Sequence, residues 1–107
     1  MSCLFNSLGY FLKIDSFQIR QIICNYLDNN NKLIDGIETN QILSFENNNY
    51  VSNMRNSSTW GGGIEIQAAC NIWKLKINVH NIRDNNSIIS FIPIDNNYIN
   101  TIDITWN

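Results

Sequence analysis

Cys3 is the first residue of this chain that could act as a nucleophile, and the run behind it suits a buried helix. Leu4, Phe5, Leu8, Phe11 and Leu12 recur at helical spacing, and Ser2 is an acceptable N-cap. That spacing predicts Cys3 in the first turn of a helix. Free backbone N–H groups and the positive end of the helix dipole stabilise an anion there. A thiolate in that place has a lowered pKa, and the thiolate is the nucleophilic form. The plainer reading of a lone Cys is a small buried hydrophobe near a chain end. A second candidate element is Ser57-Ser58-Thr59-Trp60-Gly61-Gly62-Gly63. Three consecutive Gly after a Trp permit unusual backbone angles and the close approach of another chain segment. A Gly-rich loop that opens a helix can also cradle a phosphate. No P-loop Lys-Ser/Thr pair follows this one and no strand is expected before it, which argues against phosphate.

The elements that must position these residues follow from periodicity. Asp15 is a good N-cap and has capping-box spacing to Gln18. Ile19, Ile22, Ile23, Tyr26 and Leu27 then form an amphipathic stripe ending at the Asp28–Asn31 turn. Cys24 lies beside that stripe and is expected to pack in or near the core. Asp35-Gly36 marks a turn. Thr39 to Phe45 reads as one or two helical turns, and Tyr50, Val51 and Met54 as another short helix. A further helix is predicted over Gly62 to Lys74, with Ala68, Ala69, Ile72 and Trp73 inward and Glu65 favourably placed in its first turn. From Leu75 the period shortens to two. Leu75, Ile77 and Val79 form one strand; Ile88, Ile89, Phe91, Ile92 and Ile94 a second; Ile102, Ile104 and Trp106 a third. Arg83 to Asn86 reads as a hairpin turn. The expectation is an α+β domain, its N-terminal helices packed on a small, largely antiparallel sheet formed by the C-terminal third.

Composition bounds the function classes. A chain of 107 residues with 44% hydrophobic residues makes one ordinary globular domain. A net charge of −2 gives no footprint for nucleic acid or an anionic membrane surface. Three scattered Cys fit neither a disulfide scaffold nor a C-x-x-C metal site and suggest a reducing, intracellular setting. No apolar run is long enough to span a bilayer. The chain has twenty Asn and nineteen Ile. Runs such as Asn29–Asn31 and Asn47–Asn49 therefore read as loop filler from compositional drift rather than binding elements.

Three blocks in this order resemble the ovarian-tumour (OTU) family of papain-like cysteine proteases. Cys3-Leu4-Phe5-Asn6-Ser7-Leu8 is similar to the family's D-G-x-C-L-F-R-S-L segment around its nucleophile. Ile19-Arg20 through Tyr26-Leu27 resembles the helix that follows it. Tyr50, Met54, Trp60-Gly61-Gly62, Ile64-Glu65-Ile66-Gln67-Ala68-Ala69 and Ile77-Asn78-Val79 resemble the family's Y-x-x-x-M, W-G-G-x-I-E-L-x-A-L-A and I-x-V run. The resemblance spans essentially the whole chain and favours the nucleophile reading of Cys3. It implies a papain-like OTU fold and hydrolysis of the peptide or isopeptide bond after the C-terminal Gly-Gly of ubiquitin or a ubiquitin-like protein. Cys3 is then the catalytic nucleophile, and Ser2, Trp60, Gly61 and Gly62 are candidates for the substrate channel. The protease reading expects the Cys3 sulfur to face a groove beside residues 57–63.

Two departures accompany the match. Met1 and Ser2 alone precede Cys3, where the family has Asp-Gly-x. The family's base, commonly in a His-Tyr pair, is expected just after the strand that Thr101 to Asn107 resembles. The sequence therefore reads as a single OTU-like domain over 1–107, without the start of the oxyanion loop and without the C-terminal catalytic His segment. His80, the one His, ends the first strand and reads as a structural or surface residue. The alternative is a non-catalytic OTU-like ubiquitin-binding module; a third reading makes the domain an interaction part of something larger. No metal or organic cofactor is implied. Ubiquitin or a relative is the expected partner, with no nucleic acid and no membrane. The expected location is intracellular, in the cytoplasm (the host's, if the chain is viral).

Overall fold

The computed structural model describes residues 3–29, 32–46, 49–56, 62–82, 85 and 87–106, apart from the side chains of Cys3 and Trp106. Helix α1 (Cys3–Leu12) opens the described chain and buries Leu4, Phe5 and Leu8. It ends where Lys13 takes a left-handed conformation, φ 59°. The N–H of Ile14 then donates to the Gly9 carbonyl at 3.1 Å, the bond of a Schellman end. A methyl group at Gly9 would lie 2.7 Å from the Ile14 carbonyl oxygen, so only Gly lets the chain fold back this tightly. Asp15 caps α2 (Ser16–Asp28) as expected, its carboxylate accepting from Phe17 N–H at 3.1 Å. Ile19, Ile23, Cys24 and Leu27 of α2 are buried, whereas Ile22 of the expected stripe is exposed. A turn at Asp35-Gly36, with Gly36 at φ 84°, leads to α3 (Thr39–Glu46), and α4 (Tyr50–Met54) follows.

Helix α5 (Gly63–Trp73) presents Ile66, Ala68, Ala69 and Cys70 to the core and ends at Lys74, another left-handed residue. Among the described residues three strands follow: β1 (Leu75–Asn81), β2 (Ser87–Phe91) and β3 (Asn100–Trp106). The second strand stops at Phe91 instead of reaching Ile94, because buried Pro93 has no N–H to continue the ladder. Of the expected hairpin turn only Asn85 lies within the described residues, in a left-handed conformation.

The strand order is β2-β1-β3, and the sheet is mixed rather than largely antiparallel. β1 and β2 pair antiparallel, Ile77 opposite Phe91 and Asn81 opposite Ser87. β1 and β3 pair parallel, Leu75 opposite Asn100 and Asn81 opposite Trp106. The reason lies in residues 92–99. They pass across the N-terminal end of β1, where Ile99 N–H donates to the Lys74 carbonyl at 2.9 Å and Lys74 Nζ meets Asp95 at 2.6 Å. The chain thus enters β3 from the end at which β1 begins. Ile77, Val79, Ile102 and Ile104 face the helices and are buried; Asn78, His80, Asp103 and Thr105 face away. Helix α1 packs on α2 and β3, and α5 on α2, β1 and β2. The result is an α+β domain with its helices on one side of a small C-terminal sheet. No described helix is long and apolar enough to cross a membrane.

Candidate active site

The backbone of Cys3 opens α1, so the candidate nucleophile belongs to the first helical turn. Its side chain, and Ser2, Trp60 and Gly61 of the proposed channel, lie outside the described residues. Whether the sulfur faces residues 57–63 therefore lies outside them too.

What holds that turn in place is a buried cation. Arg20 of α2 is 3% exposed, and its guanidinium lies 4.1 Å from the ring centroid of Phe5, two residues after Cys3. Arg20 Nη1 also donates to the Met54 carbonyl at 2.7 Å, which ties α1 and α2 to the end of α4. Arg55 extends this seam, donating to Gln21 Oε1 and Asn25 Oδ1, each at 2.8 Å. A burial this complete for an Arg is stable only with such partners.

The fourth proposed channel residue, Gly62, stands directly before α5. Its backbone is extended, φ −133° and ψ −157°, and its carbonyl accepts from Ile66 N–H at 3.0 Å. Its N–H donates to Glu65 Oε1 at 2.7 Å. Nothing in this conformation demands glycine. A methyl group at Gly62 would approach nothing closer than Glu65 Oε1 at 3.8 Å, and at Gly63 it would meet nothing within 4 Å. Unusual backbone angles are thereby removed as the reason for these two Gly, and the freedom for another segment to approach is left.

Glu65 is the residue that sequence reasoning undervalued. Its place in the first turn, favourable to the helix dipole, is as expected, and it is 0% exposed. Its second oxygen, Oε2, accepts from the Tyr50 hydroxyl at 2.6 Å. One side chain thus joins α4, the residue before α5, and α5 itself. Burial pushes its pKa up, while the bonds from Tyr50, Gly62 and its own N–H and the field of Arg20 pull back. Burial and the Glu65 charge also raise the Tyr50 phenol. The signal was available in sequence: Glu at the third helical position can reach back to the N-cap N–H.

His80 lies on the face of the sheet away from the helices. Its Nε2 is 2.9 Å from Asp103 Oδ1, which also accepts from Asn78 Nδ2 at 3.2 Å. Ser90 Oγ donates to Asn78 Oδ1 at 2.7 Å, completing a polar row across all three strands. Asp103 also lines an open groove of about 420 Å³ with Ile102, Asn6, Ser7, Tyr10 and Phe11. Asn6, Ser7 and Tyr10 continue the helical face on which Cys3 begins. The other thiols are elsewhere. Cys24 and Cys70 are both buried, and burial pushes their thiols up to about 11 and about 12. Among the described residues no three His, Cys, Asp or Glu side chains gather into a metal site.

Comparison with known proteins adds one finding. Neither the curated proteins nor the solved structures gave a match. The family model described as OTU-like cysteine protease matches residues 2–103, nearly the whole chain. The helix opened by Cys3, the Gly62–Glu65 entry to α5, strand β1 and the first half of β3 fall inside that match, and the chain belongs to the OTU-like cysteine protease family.

Proposed function

We propose that this OTU domain is a thiol hydrolase that cleaves peptide or isopeptide bonds after the C-terminal Gly-Gly of ubiquitin or a ubiquitin-like protein. The observation that carries the reading is the position of Cys3 at the start of α1, where unpaired backbone amides stabilise a thiolate. The sulfur attacks the carbonyl of the terminal Gly, the amine departs with a proton, and water hydrolyses the thioester. An imidazole serves as base and then acid. The open backbone at Gly62 and Gly63 supports a tail without side chains as the substrate. A reducing compartment suits free thiols such as these.

A second reading is a non-catalytic ubiquitin-binding module. It is favoured by His80, the one imidazole of the chain, which is bound to Asp103 on the outer face of the sheet. Incubation with ubiquitin carrying a C-terminal electrophile separates the two. A Cys3 adduct together with cleavage of di-ubiquitin supports the hydrolase. Binding with neither supports the module, and absence of binding overturns both. His80→Ala then decides the base: loss of cleavage with the fold intact assigns it to His80.

A further inference from the structure

We infer that Glu65 is a positioning residue for recognition of the Gly-Gly tail, acting through Gly62 and Tyr50 without touching substrate. This rests on the proposed function above and assigns a task to a buried side chain that the chemistry itself leaves unused. Carboxylates are almost never fully buried without a purpose or a partner. This one spends its two oxygens on two donors from different places: Gly62 N–H at 2.7 Å and Tyr50 O–H at 2.6 Å. An ordinary helix start would need only the first. The second fixes the entrance of α5 against α4, whose far end is held by Arg20. Arg20 in turn seats Phe5, in the turn that Cys3 begins. The chain of contacts therefore runs from Gly62 through Glu65, Tyr50 and α4 to Arg20 and α1. It sets the bare Gly62 backbone at a fixed place relative to the nucleophile's helix. Gly62 contributes no free polar backbone group, since its N–H and carbonyl are both engaged internally. What it offers is space, and that space is useful to a tail only while its position is fixed.

The test compares binding of ubiquitin with binding of ubiquitin shortened by its two terminal Gly. Wild-type chain should bind intact ubiquitin more tightly. Glu65→Leu removes both acceptors at similar volume and should weaken intact ubiquitin by about tenfold while leaving the shortened form unchanged. Glu65→Gln can still accept from Gly62 N–H and donate to the Tyr50 oxygen, and should restore the difference. A merely structural role predicts equal losses for both ubiquitin forms. Equal losses, or a folded Glu65→Leu that keeps the wild-type difference, overturn the inference while the proposed function stands. If Glu65→Leu does not fold, Tyr50→Phe decides. A reduced tail contribution with an unchanged melting temperature supports the inference, and an unchanged tail contribution overturns it. A wild-type chain that binds neither form overturns the proposed function, and this inference with it.

Discussion

Two of the three thiols are buried in this domain, and their environments explain why only Cys3 should be reactive. Cys24 and Cys70 are both buried in the hydrophobic core, with Cys70 Sγ donating to the Phe91 carbonyl at 3.5 Å. Burial raises both thiols, so their thiolate fraction near neutral pH is very small. Alkylation of the native chain near neutral pH should therefore modify one of three Cys, identified by mass spectrometry as Cys3. Cys24 and Cys70 should react only in denaturant. Rapid labelling of either in the folded state would show the nucleophile to be misassigned. Cys24→Ser and Cys70→Ser should likewise leave ubiquitin binding and any cleavage intact. At this scale the sequence places Cys3 in the first turn of a helix, and α1 does begin there. For Glu65 the bond to Gly62, three residues away, is within reach of spacing, but the bond from Tyr50, fifteen residues away, is not. Periodicity does not reveal its burial; only a three-dimensional arrangement shows the carboxylate satisfied inside.

Helix ends show the same division between what spacing reveals and what it hides. Helices α1 to α5 lie close to where apolar recurrence put them, because each buries one face against the same core. The joint between α1 and α2 depends on Gly9, which no pattern singled out. Propensity alone favours Ala over Gly inside a helix by about 1 kcal/mol. Here the 2.7 Å approach to the Ile14 carbonyl opposes that gain, and a backbone atom cannot swing aside as a side chain can. Gly9→Ala is expected to destabilise the domain by about 1–3 kcal/mol, the range for overpacking. Urea unfolding measures it; a higher midpoint would mean the joint relaxes cheaply. The sheet illustrates the limit from the other side. Alternation identified all three strands, but it records which residues face inward and not which edge a strand joins. The parallel place of β3 is decided by residues 92–99 and their bonds at Lys74, contacts that no two-residue period encodes.

For the molecule as a whole, two carboxylates on different sides of the sheet pull the pH dependence of stability in opposite directions. Asp103, on the outer face, is held below the usual carboxylate range, first by the hydrogen bond with His80 and then by Asn78. Its contribution is present above the unfolded value of about 3.9 and is lost as pH falls through the lower folded value. Glu65, among the helices, is raised, chiefly by burial. The folded state then holds the Glu65 proton more tightly than the unfolded chain does. Its contribution is fullest below the unfolded value of about 4.3 and declines as pH rises through the higher folded value. Asp103→Asn should therefore flatten the acid limb of the stability curve below about pH 4 and change little of its shape above. Glu65→Gln should remove a decline above about pH 4, so that its stability relative to wild type improves as pH rises. The two sites share no partner, and in the double variant the changes should add. Chemical denaturation across about pH 3 to 8 gives all four curves. A Glu65→Gln curve parallel to wild type throughout would mean that Glu65 titrates as it does in the unfolded chain. The tie from α4 to Gly62 would then be carried by a group the fold does not strain to keep ionised.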